Sequence, residues 1–298
     1  MRRREELMGY LLLLPFVIGF IGLWAGPVIA SFVLSFFDYN VLRGGEFIGL
    51  KNYELMLFDD WRFWHSLRVT FSYVGVVVPA SVIVGYVWAL ALNQQVKGLS
   101  FFRTAFYMPS IVPQIASAYL FWWLLNSQVG LVNAGLDVIG IDGPDWFFST
   151  QWALPALYIM GLWTVGGNIL LYLAAFQGVP TDLYDAAKVD GANVFQRFWN
   201  ITIPMTSPVI FFTFIIGMII NLQTFTGAFV ITRGGPADAT LFYILYLYRN
   251  GWEYFKMGYA SGLAWILFLI IIVLTWLSFK ASQGRVYYEG SLREEGTA

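Results

Sequence analysis

Charged residues are scarce in this chain of 298 residues: Lys, Arg, Asp and Glu together make up 12% of it, and the net charge is −1. Soluble domains contain about 25% charged residues, so this chain has too few charged side chains to cover the water-exposed surface of a soluble protein of its length. Cysteine is absent, which excludes disulfide bonds, thiolate metal sites and Cys nucleophiles. The near-neutral charge gives no indication of a nucleic acid partner. Hydrophobic residues make up 58% of the chain, and lipid must therefore solvate much of it.

The few charged residues divide the chain into long uncharged stretches. Six of these stretches reach the ~20 residues that a helix needs to cross a bilayer, and they cover residues 7–37, 69–96, 104–136, 146–181, 198–232 and 257–279. None is long enough for two helices and a turn. The sequence therefore predicts an all-α integral membrane protein with six transmembrane helices.

The distribution of basic residues predicts the orientation of these spans. Six spans place both termini on one side of the membrane, and three consecutive basic residues, Arg2, Arg3 and Arg4, precede the first span. Basic residues favour the cytoplasmic side, so both termini are expected in the cytoplasm. The loop between the third and fourth spans has only acidic charges and is expected outside. The first stretch is too long for a cleaved secretory signal and is interpreted as a retained span.

The six stretches contain no Asp, Glu, Lys, Arg or His, and His65, the single histidine, lies in the first external loop. Ion-coupled carriers place ionisable groups at membrane depth, and membrane enzymes need a base, a nucleophile or metal ligands. No catalytic residue, metal site or cofactor is therefore expected in this chain. Uncharged polar residues do occur, among them Thr164 and Asn168 in the fourth span and Asn221, Gln223, Thr224 and Thr226 in the fifth.

These polar residues have two interpretations. They could join helices to one another by hydrogen bonds, or they could line a path for a neutral, hydroxylated solute. Asn221 and Thr224 stand three residues apart, which places them on one face of a helix. As a group, the residues favour the path.

A polar segment between the fourth and fifth spans interrupts the apolar pattern. Asp182 is expected to cap a short helix that reaches to about Val189, and Gly191 to provide a turn that a side chain would hinder. A second short helix is expected over residues 193–199. Pro204 and Pro208 then begin the fifth span. On the predicted orientation this segment faces the cytoplasm, and its alternative interpretation is an ordinary solvated hairpin loop.

The segment “DLYDAAKVDGA”, together with the spacing from Asp185 to Pro204, resembles the acid–Ala–Ala loop of permease subunits of bacterial ABC importers. The resemblance is to the carbohydrate-uptake branch that includes the maltose and glycerol-phosphate systems. It extends over almost the whole chain, through “FIGLKNYELML”, “FFRTAFYMPSIVP” and “VITRGGPADAT”, the last being similar to a Gly-Gly-Pro loop of sugar permeases. Asp185 stands where Glu is commoner and Ile203 where Leu is commoner, and both keep the chemistry.

This resemblance implies a coupling loop that sits in a cleft of an ATPase subunit. The residues that carry the matching pattern are Asp185, Ala186, Ala187, Gly191 and Pro204. The chain has no phosphate-binding Gly-x-x-x-x-Gly-Lys-Ser/Thr loop, so ATP and Mg are expected on a partner chain. The implied partners are two ATPase subunits, a second homologous permease and an extracytoplasmic solute-binding protein, together with the lipid bilayer of the bacterial plasma membrane.

The resemblance also implies which residues contact the solute. They are Asn221 and Thr224, with Gly217 one turn away, and the region from Trp163 to Asn168 in the fourth span. The implied domains are residues 1–66 (cytoplasmic tail, first span and first external loop), 67–279 (ABC importer type I transmembrane core, spans 2–6) and 280–298 (cytoplasmic tail).

Two other classes of function remain as alternatives at this point. One is a secondary carrier or channel for a small neutral solute, and the other is a membrane enzyme that acts on lipid-linked substrates. The missing intramembrane charges and the acid–Ala–Ala pattern disfavour both. The solute stays open among a disaccharide, an oligosaccharide, a sugar alcohol and glycerol phosphate.

Overall fold

The computed structural model describes residues 2–94 and 97–283 of the chain, and most of these residues are helical. Within them the helices are α1 (Arg2–Phe20), α2 (Gly26–Leu34), α3 (Lys51–Glu54), α4 (Trp61–Leu92), α5 (Leu99–Ile111), α6 (Gln114–Leu124), α7 (Leu131–Val138), α8 (Ala153–Trp163), α9 (Gly166–Gln177), α10 (Thr181–Val189), α11 (Val194–Arg197), α12 (Ile203–Leu222), α13 (Tyr243–Tyr248) and α14 (Met257–Ser282). Wider π-helical turns cover Ile21–Ala25, Leu55–Asp59, Phe198–Thr202, Ala228–Thr232 and Arg249–Glu253.

Four continuous helical segments are long and apolar enough to cross a membrane, and they are Met8–Leu34, Trp61–Leu92, Val194–Leu222 and Met257–Ser282. A fifth candidate is the pair formed by α8 and α9, which meet at an angle of 43°. By length and composition the described residues therefore hold four or five candidate spans, against the six that were predicted. The candidates fall in five of the six predicted stretches.

The predicted third stretch, residues 104–136, forms three helices instead of one. The first break lies at Val112 and Pro113, which both have extended backbones with ψ angles of 129° and 138°. Proline disfavours helical geometry in the residue before it, and this explains why α5 ends at Ile111 and a new helix begins at Gln114. Pro109 is accommodated inside α5. Asn126 then marks the second break, where its carboxamide oxygen accepts hydrogen bonds from the backbone N–H groups of Gln128 and Val129.

The start of the predicted fifth span also differs from the prediction. The second short helix does not end before Pro204: it continues through the π-helical turn Phe198–Thr202 into α12, so that Val194–Leu222 is one helical segment. Pro204 directly follows this π-helical turn, as the second residue of α12, and it has no backbone N–H to donate within the continuous segment. The extra residue that a π-turn inserts into a helix absorbs the mismatch.

One antiparallel hairpin departs from the predicted all-α fold. Strands β1 (Phe37–Asn40) and β2 (Gly44–Phe47) pair with Phe37 opposite Phe47. Asn40 forms the turn, since its side-chain oxygen accepts a hydrogen bond from Leu42 N at 2.9 Å. Gly44 takes a φ of 81°, a conformation that glycine adopts without strain.

The described residues divide into two compact units. The first contains the residues up to Trp64 together with Tyr246–Ile270, and the second contains His65–Leu245 together with the residues from Ile271 on. In the first unit, Asp60 caps α4 by accepting hydrogen bonds from the backbone N–H groups of Arg62 and Phe63. Its other carboxylate oxygen accepts the hydroxyls of Tyr246 and Tyr259. Burial, and then the bond to Asp60, raise the pKa of Tyr246 to about 12.

The second unit has two clusters of buried apolar side chains that hold its helices together. One joins α4 to α9 through residues such as Tyr86, Ala89 and Tyr172. The other joins α4 to α12 through Val78 and Leu222. Helices α4, α9 and α12 are thus packed tightly in the second unit, which also contains most of the residues predicted to be functional.

Candidate functional site: a polar cavity and an exposed helical loop

A cavity of about 490 Å³ lies among α4, α6, α8, α9, α12 and the segment that follows α12. None of the residues that line it carries a charge. Six of the seven residues predicted to contact solute line this cavity, and they are Thr164, Asn168, Gly217, Asn221, Gln223 and Thr224. Trp163 is not among the lining residues. Its ring instead packs edge-on against Phe121 of α6, with ring centroids 5.5 Å apart.

Asn221 and Thr224 reach the cavity by a different route from the one predicted. They do not share a face of one continuous helix, because α12 ends at Leu222 and Gln223 leaves the helical conformation. The Asn221 carboxamide nitrogen donates to Gly217 O at 2.8 Å, and Gln223 Nε2 donates to Ile219 O at 2.9 Å. Both side chains thereby donate to carbonyls of their own helix. The carboxamide oxygen of Asn221 has no hydrogen-bond partner within the described chain.

A bend between α8 and α9 positions the fourth-span residues. Thr164 ends α8, and its hydroxyl donates to Gly161 O at 3.2 Å. Helix α9 then starts at Gly166, which lies so close to α5 that an added Cβ would be 2.5 Å from Phe106 O. This close approach of two backbones fixes the bend, and it turns Asn168 toward the cavity.

Four polar lining residues of α4 and α6 escaped the sequence analysis: Tyr73 and Ser81 of α4, and Gln114 and Ser117 of α6. Gln114 accepts a hydrogen bond from the hydroxyl of Thr226 at 3.2 Å. The proline break before Gln114, with two polar residues three apart after it, was a usable signal for α6. Helix α4 offered no comparable break, because it runs without interruption from Trp61 to Leu92.

Hydrogen bonds between helices are made by Tyr–Thr pairs instead of by the amides. The Tyr86 hydroxyl bonds to Thr206 Oγ1 at 2.8 Å, and the Tyr172 hydroxyl bonds to Thr213 Oγ1 at 2.6 Å. These four side chains are buried, and they tie α4 and α9 to α12. Among the described residues the Asn221 side chain makes no bond to another helix, so the helix-joining interpretation does not account for it.

The loop between α9 and α12 is a helical hairpin. Helix α10 covers Thr181–Val189, and the chain reverses at Gly191, whose φ is 79°. Asn193 then caps the next helix by a reciprocal pair of bonds with Gln196 at 2.9 and 2.8 Å. The predicted cap by Asp182 is absent, because Pro180 occupies the cap position. Asp182 instead lies in the first turn of α10, where its negative charge interacts favourably with the helix dipole.

The surface of this hairpin is both charged and apolar. Asp185 forms an exposed ion pair with Lys188 at 2.8 Å. Ala186 is exposed and Ala187 is partly exposed. Three of its large apolar side chains are more than 70% exposed, and they are Val189 (88%), Val194 (73%) and Phe195 (72%). Val194 and Phe195 are adjacent in the sequence, so this part of the hairpin offers exposed apolar area for contact with another molecule.

Comparisons with known proteins agree on one kind of protein. A family model described as the inner membrane component of binding-protein-dependent transport systems matches residues 69–283. The probable ABC transporter permease protein YesP of Bacillus subtilis is 39% identical over 290 residues, which are 96% of this chain and 94% of that protein. The trehalose/maltose transport system permease protein MalF of Thermococcus litoralis is 33% identical over 289 residues, 96% and 97% of the two chains.

A solved structure has the same fold. It is a chain in the crystal structure of a bacterial alginate ABC transporter in complex with an alginate pentasaccharide-bound periplasmic protein. The TM-score is 0.83 at 22% sequence identity, and the match covers 94% of this chain and 95% of the other.

Proposed function

Because this chain belongs to the family of binding-protein-dependent transport system inner membrane components, we propose that it forms half of the pore of an ATP-driven importer for a sugar or a related polyol. The observation that carries the proposal is the uncharged cavity of about 490 Å³ between the broken helices of the second unit, which is lined by amide and hydroxyl groups as well as by apolar side chains. A cavity of this size falls within the range that binds small molecules. Discontinuous helices are also where transporters commonly build their substrate sites.

The substrate class rests on the cavity's chemistry and on the relatives. Amide and hydroxyl groups line it, and these suit the hydroxyls of a sugar. MalF of Thermococcus litoralis, which is similar over almost its whole length, is a trehalose/maltose permease by its description. On this proposal Asn221 and Thr224 contact the sugar, with Gly217 and Asn168 beside them.

The proposed topology has six spans, with both termini in the cytoplasm and the chain in the bacterial plasma membrane. The third span is then α5 together with α6, broken at Pro113. Their 13 and 11 residues extend over about 36 Å at 1.5 Å per residue, which exceeds a hydrocarbon core of about 30 Å. The α8–α9 pair forms the fourth span, and the hairpin from α10 to α11 faces the cytoplasm.

The hairpin is the proposed docking element for the ATPase. Asp185, Ala186, Ala187 and Gly191 form its first helix and turn, and the exposed side chains Val189, Val194 and Phe195 supply apolar contact area. The partners are two ATPase subunits, which bind ATP and Mg, a second homologous permease that completes the pore, and an extracytoplasmic solute-binding protein.

Two glycines give a matched test of this assignment. Gly191 and Gly140 have nearly equal φ angles, 79° and 75°, and an added Cβ at either would meet nothing within 4 Å. Replacement by Val therefore strains both turns similarly. Gly191→Val is expected to reduce co-purification of the ATPase and sugar uptake, and Gly140→Val in the opposite loop to leave co-purification unchanged. Asp185→Arg should impair docking further. Equal co-purification in all three variants would show that the hairpin is only a spacer.

A further inference from the structure

Helix α6 begins at the cavity with its backbone donors unoccupied. An α-helix leaves its first N–H groups without helical partners. In α6 the N–H of Ser117 is paired with Pro113 O at 3.0 Å, which leaves those of Gln114, Ile115 and Ala116. Pro113 provides no side-chain cap, and the first turn has no acidic residue. Helix α9 begins at the cavity in the same way, with neither a side-chain cap nor an acidic residue in its first turn.

Ser117 adds a second, independent sign of a missing ligand. This residue lines the cavity, is 3% exposed, and its hydroxyl has no hydrogen-bond partner in the described part of the chain. Buried polar groups nearly always have partners, because leaving one unpaired costs about 1–3 kcal/mol. An unpaired hydroxyl one turn into α6 therefore indicates a group that is supplied from outside the chain.

The helix ends that carry the opposite partial charge are treated differently. Helices α8 and α12 both end at the cavity, and a side chain donates to one of the last carbonyls of each: Thr164 to Gly161 O and Gln223 to Ile219 O. Negative ends are thus partly neutralised by the protein, whereas the positive ends of α6 and α9 are not. Since no lining residue is charged, the field at the start of α6 is set by partial charges, and the N-terminus of α6 contributes a positive one.

We propose that the solute carries an anionic group, the carboxylate of a sugar acid, and that this group binds at the start of α6 beside Ser117. The inference rests on the proposed function and narrows its substrate class. Helix N-termini favour anions because their N–H groups and dipole point at the ligand. The carboxylate accepts hydrogen bonds from these backbone N–H groups and from the Ser117 hydroxyl, while the neutral hydroxyls of the sugar contact the amides of α9 and α12.

The test measures equilibrium binding to the purified, assembled importer without its solute-binding protein. The probes are uronic-acid disaccharides and the methyl ester of each, which keeps the size of the sugar and removes its charge, together with neutral disaccharides. The free acid is expected to bind roughly tenfold more tightly than its ester, the effect of a favourable, partly buried helix N-terminus. Ser117→Ala should reduce this ratio severalfold. Ser110→Ala should leave it unchanged, because the Ser110 hydroxyl is bonded to Tyr107 O.

The outcomes separate this inference from the proposed function. If esters or neutral sugars bind as tightly as the acids, the anionic site is refuted, but the proposed function as a sugar permease is not. Failure of every sugar to bind would overturn both. An unchanged ratio in Ser117→Ala would remove Ser117 from the site, and the acid-to-ester ratio of the unmodified importer tests the helix start even if that variant fails to assemble.

Discussion

Gly166 and Gly167 are adjacent in sequence, yet replacing each by Ala should have opposite effects on stability. A Cβ on Gly166 would lie 2.5 Å from Phe106 O and 3.0 Å from Tyr107 Cα, both backbone atoms of α5. A Cβ on Gly167 would meet nothing within 4 Å. The two positions are the first and second residues of the same helix, so the pair isolates the packing of α5 on α9.

The expected magnitudes follow from this geometry. Ordinary contact begins at 3.4 Å, so Ala at position 166 would force α5 and α9 apart by about 0.9 Å. Overpacking of this kind costs about 1–3 kcal/mol, against a gain of about 0.5–1 kcal/mol when Gly becomes Ala in a helix. Gly166→Ala should therefore lower the free energy of unfolding by up to ~2 kcal/mol, and Gly167→Ala should raise it by up to ~1 kcal/mol.

Thermal unfolding of the purified complex measures the difference. Since 1 kcal/mol shifts Tm by about 2–4 °C in chains of 150–250 residues, the overpacking cost of about 1–3 kcal/mol should separate the two variants by roughly 2–12 °C. Equal Tm values, or a more stable Gly166→Ala variant, would show that the α5–α9 contact does not constrain the bend. The reasoning about how Asn168 is positioned would then fail as well.

Three further predictions concern the site, the topology and the first unit. Asn221→Leu should reduce sugar transport while the yield of the complex stays normal. The reason is that the carboxamide oxygen of Asn221 is available to the solute, and one hydrogen bond contributes about 0.5–1.5 kcal/mol. Transport at the wild-type rate in this variant would exclude Asn221 from the pathway. Reporter fusions after Gln95 and Gly178 should be cytoplasmic, and fusions after Asn133 and Ala237 should be external. The inverse pattern would refute the orientation. The folded-state pKa of Tyr246 is raised to about 12 from 10, so its neutral form contributes stability that is complete below pH 10 and is lost as the pH rises toward 12. The difference in Tm between the wild type and Tyr246→Phe should accordingly be constant up to pH 10 and shrink above it, and a difference that is flat to pH 12 would contradict this.

Much of the fold was predictable because the membrane imposes a simple rule on charge. Five of the six uncharged stretches contain candidate spans, since a charged residue is too costly at membrane depth to occur by chance. The internal breaks were harder to predict. Pro113 indicates the break between α5 and α6. At the end of α12, however, the side-chain amides of Asn221 and Gln223 donate to carbonyls of their own helix, and nothing in the apolar pattern indicates this.

The cavity residues were predictable only where polar residues interrupt an apolar stretch. This criterion found residues on α9 and α12. It missed Tyr73, whose place in the wall depends on its packing beside Phe242, with ring centroids 5.1 Å apart. It also missed the unpaired state of the Ser117 hydroxyl, because whether a hydroxyl finds a partner is decided by tertiary packing and not by sequence.

The continuous helical segment Val194–Leu222 has a mechanical consequence. Its 29 residues form a rod about 43 Å long at 1.5 Å per residue, with the capped hairpin at one end and Asn221 at the other. A tilt of about 5° at the hairpin end would displace the cavity end by ~4 Å over that length. If the helix were broken before Pro204, the hairpin could move without the cavity. Because the segment is continuous, a displacement of the hairpin also displaces the cavity end of the helix and changes the shape of the cavity.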